Sequence, residues 1–476
     1  MTQRHYFLMI LALISGCSAL PPDAASDQEE VGKVTMMEDS TWEPCGSTSF
    51  LLEDVNPGPA SSNPMELTKG ERILFFTADD GVHGRELWKS SGTGGPGTRL
   101  VEDILPGSAG SEPRTLTMLD DELFFSAVGE DTGRELWKSD GTASGTRRVE
   151  DIRPGPEGSG IRSMLEFDDR IYFNANDGEH GDELWRTNGT ASGTFMVGDF
   201  VPGPRGLNPR DLTLLDEDLF FFRADESEDD FTALWRSDGT RGGTFRLDSG
   251  PDDIRLLTPA GELLFYISAD EGEDSLKRTD GTPEGTLELL FLYPRRAAEL
   301  EAVKNEVFFT FRTRASTELW VSDGTVEGTR LVKDIGSQPR NLTRFGHRLF
   351  FTAEDPENGR ELWVSDGTAE GTRLFKDVAP GAFGSTPEAL TVIMDTLFFS
   401  AETPERGREP WVSDGTPRGT RPLREIAPGV ASSTPRDFTR SGWDVFFSAE
   451  ESTYVRELYA LPFRPESECD QAKESH

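Results

Sequence analysis

The sequence predicts an all-β protein: a single β-propeller of four-stranded antiparallel blades, with nine blades expected and eight as the alternative. Three observations predict it. A phrase close to ELWxxDGT recurs along the chain, each copy lies in a unit of four short segments, and one unit is divided between the two chain ends. Repeats of about 40–50 residues that hold four strands each are typical of propeller blades.

The recurring phrase sets the length of the repeat. Its aromatic position can be followed through nine units, at spacings of 49, 48, 50, 42, 43, 43, 48 and 48 residues. The residues at this position are Trp88, Trp137, Trp185, Trp235, Lys277, Trp320, Trp363, Trp411 and Tyr459. The unit around Lys277, at 251–290, is the most degenerate, so its status decides between nine blades and eight.

Each unit contains four segments that predict strands. In the unit that starts at Pro387 they lie around 390–393, 397–401, 409–413 and 420–426. Clusters of Gly, Asp, Pro and Ser bound these segments, which favours strands joined by turns. No apolar pattern with a period of 3.6 residues competes with this interpretation.

The two chain ends predict how the ring closes. STSFLLEDVNPGP (47–59) aligns with GTRLVEDILPGS (97–108), so the first repeat segment is a fourth strand without its first three. The segment 444–463 supplies three strands without a fourth. Pairing the two fragments completes one blade and removes the free edges of an open array.

This closure also predicts a disulfide. Cys45 lies just before the closing strand, and Cys469 lies shortly after the strand beside it. An exported protein with one such pair favours a disulfide. A Cys45–Cys469 bond would lock the last blade.

The N-terminus predicts export and a lipid anchor. Arg4 precedes an apolar run that is too short to span a bilayer and fits a signal peptide. Ile-Ser-Gly-Cys at 14–17 resembles the bacterial lipobox. The resemblance implies a lipoprotein signal peptide at 1–16 and acylation of Cys17, and Ser18 favours sorting to the outer membrane.

The remaining boundaries follow from composition. Residues 17–44 are acidic and proline-bearing without periodicity, which predicts a disordered tether that reaches on the order of 30 Å. The propeller is expected at 45–469, and a disordered tail at 470–476.

The repeats resemble the ELWxxDGT repeat of exported bacterial proteins, many of which are lipoproteins. The resemblance covers roughly residues 47–463, and the motif recurs in register. It implies a propeller at the cell envelope, and it names no activity.

Within the phrase, structural roles are expected. The recurrent Trp is predicted to fill the space between blades, with a sugar-stacking platform as the alternative. Asp366-Gly367 predicts a turn, which resembles the structural Asp-box turn of sialidase-like propellers. Asn188 at the Asp position fits a turn, and Gly371-Thr372 is expected to re-enter the sheet through a bulge.

The opposite rim carries repeated charges that allow two interpretations: a network of ion pairs, or a ring of carboxylates for Ca²⁺ or another cationic ligand. The residues concerned are Asp79, Asp225, Asp270, Glu354, Glu402 and Glu450 after the second strand, Glu86, Glu135, Glu183, Glu318 and Glu361 before Leu-Trp, and Arg85, Arg134 and Arg360 beside them. His83 and His180 lie in equivalent loops of different units, so a zinc site is not expected.

Composition and motifs narrow the function. A formal charge of −38 disfavours nucleic acid and anionic lipid surfaces as partners, and no HExxH, GxSxG or P-loop occurs. The first hypothesis is a non-enzymatic, monomeric scaffold without a cofactor, whose partner is an envelope protein or polysaccharide. The alternatives are a glycan hydrolase or lyase with its site in the propeller mouth, and a calcium-dependent adhesive protein. Units at 251–317, which lose the Glu or the Trp, are the first place to look for a site.

Overall fold

The computed structural model describes residues 42–45, 49–93, 95–225, 232–248, 253–270, 273–292, 296–312, 316–452, 455–465 and 469. These residues form nine four-stranded antiparallel blades in a ring, and the N-terminal strand joins the last blade. The predicted signal peptide, Cys17, most of the tether and the 470–476 tail lie outside the described residues. No helix of the described ranges is long and apolar enough to cross a membrane.

Blades 1 to 4 are built from consecutive strands. They are β3 (Met65–Lys69), β4 (Leu74–Asp79), β5 (Arg85–Ser90) and β6 (Thr98–Glu102); β7 (Arg114–Leu119), β8 (Glu122–Gly129), β9 (Thr132–Ser139) and β10 (Arg147–Glu150); β11 (Met164–Glu166), β12 (Ile171–Asn176), β13 (Asp182–Thr187) and β14 (Phe195–Met196); β15 (Arg210–Leu214), β16 (Phe220–Asp225), β17 (Thr232–Ser237) and β18 (Phe245–Asp248). Short 3-10 turns at Gly95–Gly97 and Ala191–Gly193 precede β6 and β14.

Blades 5 to 9 continue the pattern. They are β19 (Asp253–Ala260), β20 (Leu263–Asp270), β21 (Glu273–Thr279) and β22 (Leu287–Phe291); β23 (Arg296–Val303), β24 (Glu306–Arg312), β25 (Thr317–Ser322) and β26 (Arg330–Asp334); β27 (Arg340–Phe345), β28 (Arg348–Asp355), β29 (Gly359–Ser365) and β30 (Arg373–Lys376); β31 (Glu388–Ile393), β32 (Thr396–Thr403), β33 (Gly407–Ser413) and β34 (Arg421–Pro422); β35 (Arg436–Ser441), β36 (Asp444–Ser452) and β37 (Val455–Pro465), with β2 (Phe50–Glu53) and β1 (Trp42–Pro44) added to β37.

The unit at 251–290 is a full blade. Its four strands, β19 to β22, pair in the same order as those of the other blades. The eight-blade alternative is therefore wrong. Lys277 keeps its place on the third strand opposite Tyr266, because pairing depends on the backbone rather than on the Trp side chain.

The first strand of each blade is the innermost. First strands contact one another around the ring, including β35 with β3. The second strand lies next to it and is covered on both faces by neighbouring blades, so consecutive residues are both buried. Phe398 packs with blade 9 and Phe399 with blade 7, and neither is exposed. This explains the repeated Phe-Phe pair, since neighbouring strand residues point to opposite faces.

The third-strand aromatic side chain lies against the preceding blade. Trp411 of blade 8 packs with Leu362 and Val364 of blade 7, and Trp88 of blade 1 packs with Leu458 of blade 9. The equivalent residues Trp137, Trp185, Trp235, Trp320, Trp363 and Tyr459 lie in the same kind of interblade cluster.

The last blade closes with more contacts than the sequence predicted. β2 pairs with the middle of β37, as expected, while β1 pairs with the end of the same strand, Trp42 opposite Pro465. The predicted Cys45–Cys469 disulfide is formed. Residues 42–44, assigned to the tether, are in fact part of the sheet, because β37 is 11 residues long and offers an edge beyond β2.

Bulges occur in two places of the blade, and neither is at Gly371-Thr372. In blade 7 the shift in register between the third and fourth strands falls opposite Leu362 and Trp363, after the turn. A second bulge lies in the first strand, between Arg340 and Thr343, where Asn341 has a φ of 56°. The expected site was therefore wrong, because side-chain bonds inside the turn already fix Gly371.

Candidate binding surface

The two ends of the ring carry different loops. We call the end with the Asp-Gly-Thr turns the turn rim. We call the other end the mouth rim: it holds the loops between second and third strands, such as 80–84, and the connections between blades, such as 103–113. The two rims differ in what their polar side chains do.

Side chains close each turn of the turn rim onto its own backbone. Asp366 Oδ1 accepts hydrogen bonds from Thr368 N (2.9 Å) and Thr368 Oγ1 (2.7 Å), and Thr368 Oγ1 accepts one from Gly371 N (2.9 Å). These bonds lower the pKa of Asp366, with the bond from the Thr368 hydroxyl as the largest cause. One oxygen of the carboxylate is thus used twice inside the turn.

Glycine is required at 371 by close approach. A Cβ there would lie 2.0 Å from Asp366 Oδ1, closer than any real contact. Asn188 makes the same bonds, to Thr190 N (3.1 Å) and Thr190 Oγ1 (2.8 Å), so a neutral side chain performs the role. The turn is structural, as its sequence suggested.

On the mouth rim, the glutamate of the phrase forms a clip that holds the next blade. Glu361 is fully buried and accepts hydrogen bonds from Val378 N, Ala379 N and Ser385 N, at 2.8–3.0 Å, and from Ser385 Oγ at 2.6 Å. Those donors lie on the connection from blade 7 to blade 8. One carboxylate therefore satisfies three backbone N–H groups that would otherwise be buried without a partner.

The same clip recurs in six blades. Its glutamates are Glu86, Glu135, Glu183, Glu361, Glu409 and Glu457, and Glu457 holds Val55 and Ser62 across the ring closure. Burial raises the pKa of Glu86 to about 6, and those of Glu135 and Glu183 to about 7. We call blades 1, 2, 3, 7, 8 and 9 the clipped blades.

Blades 4, 5 and 6, the unclipped blades, hold Ala233, Ser275 and Glu318 at this position. Glu318 differs from its counterparts because it is half-buried and accepts a hydrogen bond from Trp320 Nε1 at 2.9 Å. The motif alone does not distinguish it from a clip.

The neighbouring arginines do not pair with these glutamates. Arg85 Nη1 donates to the carbonyl oxygens of Asn63 (2.9 Å) and Thr77 (3.1 Å), and Arg134 and Arg360 make equivalent bonds to backbone oxygens. The predicted ion-pair network is formed in part: these arginines do not pair with the adjacent glutamates, but Arg360 contacts Glu354 at 3.9 Å and Arg456 contacts Glu450 at 2.6 Å. Arg85, Arg134 and Arg360 each tie the residues just before the first strand of their blade to the second strand.

The other predicted charges act locally. Asp79 accepts a bond from Gly81 N, whereas Glu450 pairs with Arg456 at 2.6 Å. His83 Nδ1 contacts Asp80 Oδ2, and His180 Nδ1 contacts Asp177 Oδ2, each at 2.7 Å within its own loop. These contacts raise the pKa values of both histidines. Within the described ranges, no group of three or more His, Cys, Asp or Glu could hold a metal ion.

Sequence reasoning missed a set of arginines on the inner strands. Five of them lie at the mouth end of the first strand, before its bulge, and Arg162 lies two residues before β11. They are Arg114, Arg162, Arg210, Arg255, Arg340 and Arg436, four of them in consecutive blades. The sequence does contain a signal, an Arg two residues before a recurrent apolar residue. The ELWxxDGT phrase is the stronger repeat, and the prediction was based on that phrase.

In blades 3 and 4 two of these arginines share one acceptor. Asn208 Oδ1 accepts from Arg162 Nη2 at 2.9 Å and from Arg210 Nε at 3.4 Å. Arg162 also pairs with Asp182 at 2.7 Å, and Arg210 with Asp225 at 2.9 Å. The five side chains form one chain of contacts across two blades.

A second chain of contacts continues into blade 5. Arg223 pairs with Asp211 and with Asp253 (3.3 Å), while Arg255 pairs with Asp253 (3.2 Å) and Asp274 (2.6 Å). We call the two chains together the ionic arc. In the clipped blades 7 to 9 the described third-strand arginines donate to backbone oxygens and also pair with second-strand glutamates of their own blade.

The sequence indicated the unit around Lys277 as the first place to look for a site. The structure shows that the Lys277 side chain is engaged by the neighbouring blade. Its Nζ contacts Asp248 Oδ2 at 2.8 Å, and Tyr266 Oη donates to the same oxygen at 2.9 Å. The lysine thus points towards blade 4, where a Trp would lie in other blades. This blade does depart from the repeat, but Lys277 is paired with blade 4. The exposed charged side chains belong to the ionic arc.

Comparisons with known proteins bear on the fold. No family model and no curated protein matches the sequence. Among solved structures, a prolyl endopeptidase is 12% identical over 66% of this chain and 51% of its own, with a TM-score of 0.43. Oligopeptidase B from Leishmania major is 13% identical over 61% and 45% (TM-score 0.42), and an oligogalacturonate lyase in complex with manganese 11% over 73% and 87% (TM-score 0.39). The chain spans about half the length of the first of these.

Proposed function

We propose that the chain is a non-enzymatic binding scaffold of the cell envelope, anchored by a lipid on Cys17 at the outer membrane, that takes its partner at the mouth rim. The partner is an envelope polysaccharide or protein, and the scaffold works as a monomer. The ionic arc carries this proposal, since it is where exposed polar groups break the nine-fold repeat.

The turn rim offers little for recognition. Its aspartates, threonines and glycines are bonded to one another in every described copy of the turn, as in the Asp366 turn. A surface whose donors and acceptors are already used has little left for a ligand.

The mouth rim, in contrast, exposes charged side chains to solvent. Arg114, Arg162 and Arg210 are 62, 52 and 42% exposed, although each touches a carboxylate. Exposed ion pairs contribute only about 0.2–1 kcal/mol each, so stability does not account for their presence. Charged groups that project from rigid strands can fix the orientation of a ligand.

The place where the chain enters the propeller suits this arrangement. β37 runs from the mouth rim at Val455 to the turn rim at Pro465, and Trp42 pairs with Pro465. Trp42, the first described residue, therefore lies at the turn rim, opposite the mouth.

Two measurements test the proposal. Binding of isolated envelope fragments by the detergent-solubilised full chain should fall when Arg114, Arg162 and Arg210 are replaced together by Ala. It should persist when Asp323 and Asp366 become Asn, the residue the chain itself uses at 188. Equal loss in both variants would contradict recognition at the mouth rim.

Fatty-acid labelling tests the anchor. Cells grown with an alkyne-bearing fatty acid should label the parent chain, and Cys17→Ser should abolish the label. A labelled Cys17→Ser variant would rule out this anchor. Release of new sugar ends from the bound envelope material would instead favour the glycan hydrolase or lyase.

A further inference from the structure

We infer that the cavity between blades 3 and 4 binds an uncharged, hydroxyl-rich glycan, with Arg162 and Arg210 as donors and the surrounding aspartates as acceptors. The inference rests on the proposed function and names the partner for it.

The cavity has a size and a lining that suit a small ligand group. It measures about 310 Å³ and is lined by Arg162, Ser163, Arg210 and Asp211. This volume lies at the low end of the ~300–1,000 Å³ typical of ligand pockets. It therefore suits one unit of a polymer whose remaining length lies over the mouth.

The two arginines of the cavity keep N–H donors that their own contacts do not use. A guanidinium group carries five N–H donors. Within the described residues, Arg162 uses Nη2 alone for its side-chain bonds, to Asp182 and Asn208, and Arg210 uses Nε and Nη2. The remaining edges of both guanidinium groups are available to ligand oxygens.

Acceptors lie beside these donors. Asp211 is 56% exposed and binds Arg223 through Oδ2, and Asp182 and Asp225 are about one-fifth exposed. A sugar hydroxyl both donates and accepts a hydrogen bond. Adjacent guanidinium and carboxylate groups match that double character better than either group alone.

The charge balance selects against ions. Arg162, Arg210 and Arg223 pair with Asp182, Asp211, Asp225 and Asp253, so positive and negative charges nearly cancel. The chain as a whole carries −38, and that field opposes the approach of a polyanion. A polycation would meet the guanidinium groups first, so an uncharged ligand fits best.

The geometry is held in advance. Asn208 N donates to Asp182 O at 2.7 Å, which ties the connection before blade 4 to blade 3. Asn208 has a φ of 54°, a conformation that asparagine tolerates. Its side chain bonds both arginines and, through Nδ2, Asp225 at 2.6 Å. Such support lowers the ordering entropy that a ligand must offset.

Affinity electrophoresis of the full chain in neutral detergent tests the inference. The probes are dextran, mannan and laminarin as uncharged polymers, polygalacturonate as a polyanion and chitosan as a polycation. We expect retardation by at least one uncharged polymer. Its Kd should change less than about two-fold between about 50 and about 500 mM NaCl, because screening acts on charged partners.

Variants locate the site. Arg162→Ala and Arg210→Ala should each weaken binding about ten-fold, as expected for the loss of a hydrogen bond to a charged group. The matched control is Arg340→Ala, at the same strand position in blade 7, where the described partner is Gln338 and the Arg pair with its shared Asn is missing. It should leave the Kd unchanged, and all three variants should shift the unfolding midpoint no more than the loss of an exposed ion pair does.

The outcomes separate this inference from the function it rests on. If only polygalacturonate or chitosan retards the chain, or if no polymer does, the ligand is not an uncharged glycan. The proposed function survives that result if the arginine variants still lose envelope binding. Equal weakening by Arg340→Ala would overturn the cavity as the site. Envelope binding that ignores every mouth-rim arginine would overturn both.

Discussion

The clipped and unclipped blades share one strand frame and differ in how neighbouring blades are joined. In the clipped blades a fully buried carboxylate satisfies the backbone of the next connection, as Glu361 does for Val378 and Ser385. In blades 4 and 5 the equivalent residues are Ala233 and Ser275, and charged pairs such as Arg255–Asp274 lie at the mouth instead.

The difference shows which polar groups are committed to the fold. A carboxylate buried among backbone N–H groups cannot be removed without leaving those groups unpaired. Exposed ion pairs contribute little to stability and can exchange partners with a ligand. Recognition is thus expected at the exposed ion pairs of the ionic arc rather than at the buried clips.

The largest expected effect comes from removing a clip. Glu361→Ala should lower the free energy of unfolding by about 3–5 kcal/mol, because three buried N–H groups and a hydroxyl lose their acceptor. Urea unfolding followed by tryptophan fluorescence measures it. Glu318→Ala, at the same position of the phrase in blade 6, should cost about 1–2 kcal/mol, because this carboxylate is half-buried and remains accessible to water. Equal losses would remove the distinction between the two kinds of blade.

A smaller effect separates the two ends of the ionic arc. Arg255→Ala should cost about 2–4 kcal/mol, because Asp274, 1% exposed, keeps Ala297 N as a donor but loses its cation. Arg162→Ala, in an exposed pair, should cost about 0.2–1 kcal/mol. If Arg162→Ala destabilised the chain as strongly, the arc would be structural throughout and unsuited to a ligand.

The clips also predict a pH dependence. Burial raises the pKa of Glu135 and Glu183 to about 7, so between about pH 5 and 7 the folded chain binds more protons than the unfolded chain. Stability is therefore greatest at the acid end and falls as the pH rises towards 8, by on the order of 1–3 kcal/mol for each such group.

Unfolding at pH 5, 6, 7 and 8 checks this slope, and Glu135→Gln should flatten it. Because aspartate contacts also raise the pKa values of His83 and His180, the difference between variant and parent isolates the carboxyl group. A flat parent profile would contradict the raised pKa values.

The smallest effect belongs to the turn rim. Asp366→Asn should change stability by less than about 0.5 kcal/mol, since Asn188 makes the same two bonds in blade 3. Asp366→Ala should cost about 1 kcal/mol, because the Thr368 N–H and hydroxyl lose their acceptor. A large loss with Asn would show that charge, and not turn geometry, selects Asp.

Architecture followed from the sequence because it depends on local and repeated features. A turn such as 365–372 closes within eight residues, and the repeat of Phe-Phe and Trp marks strands buried on both faces. The divided unit predicted the closure, and the closure placed Cys45 next to Cys469. Even the degenerate blade around Lys277 kept its strands, since backbone pairing tolerates a changed side chain.

The roles of the charged residues needed the tertiary structure. Glu361 and Glu318 precede the same Leu-Trp pair, yet one is a buried clip and the other is half-buried beside an indole, because the connection that follows each differs. Arg162 and Arg210 lie 48 residues apart and meet at Asn208 because adjacent inner strands converge at the mouth. The sequence by itself determined the ring, its closure and its disulfide. Which charges are committed to the fold and which face a ligand is decided by contacts between blades, which no single repeat contains.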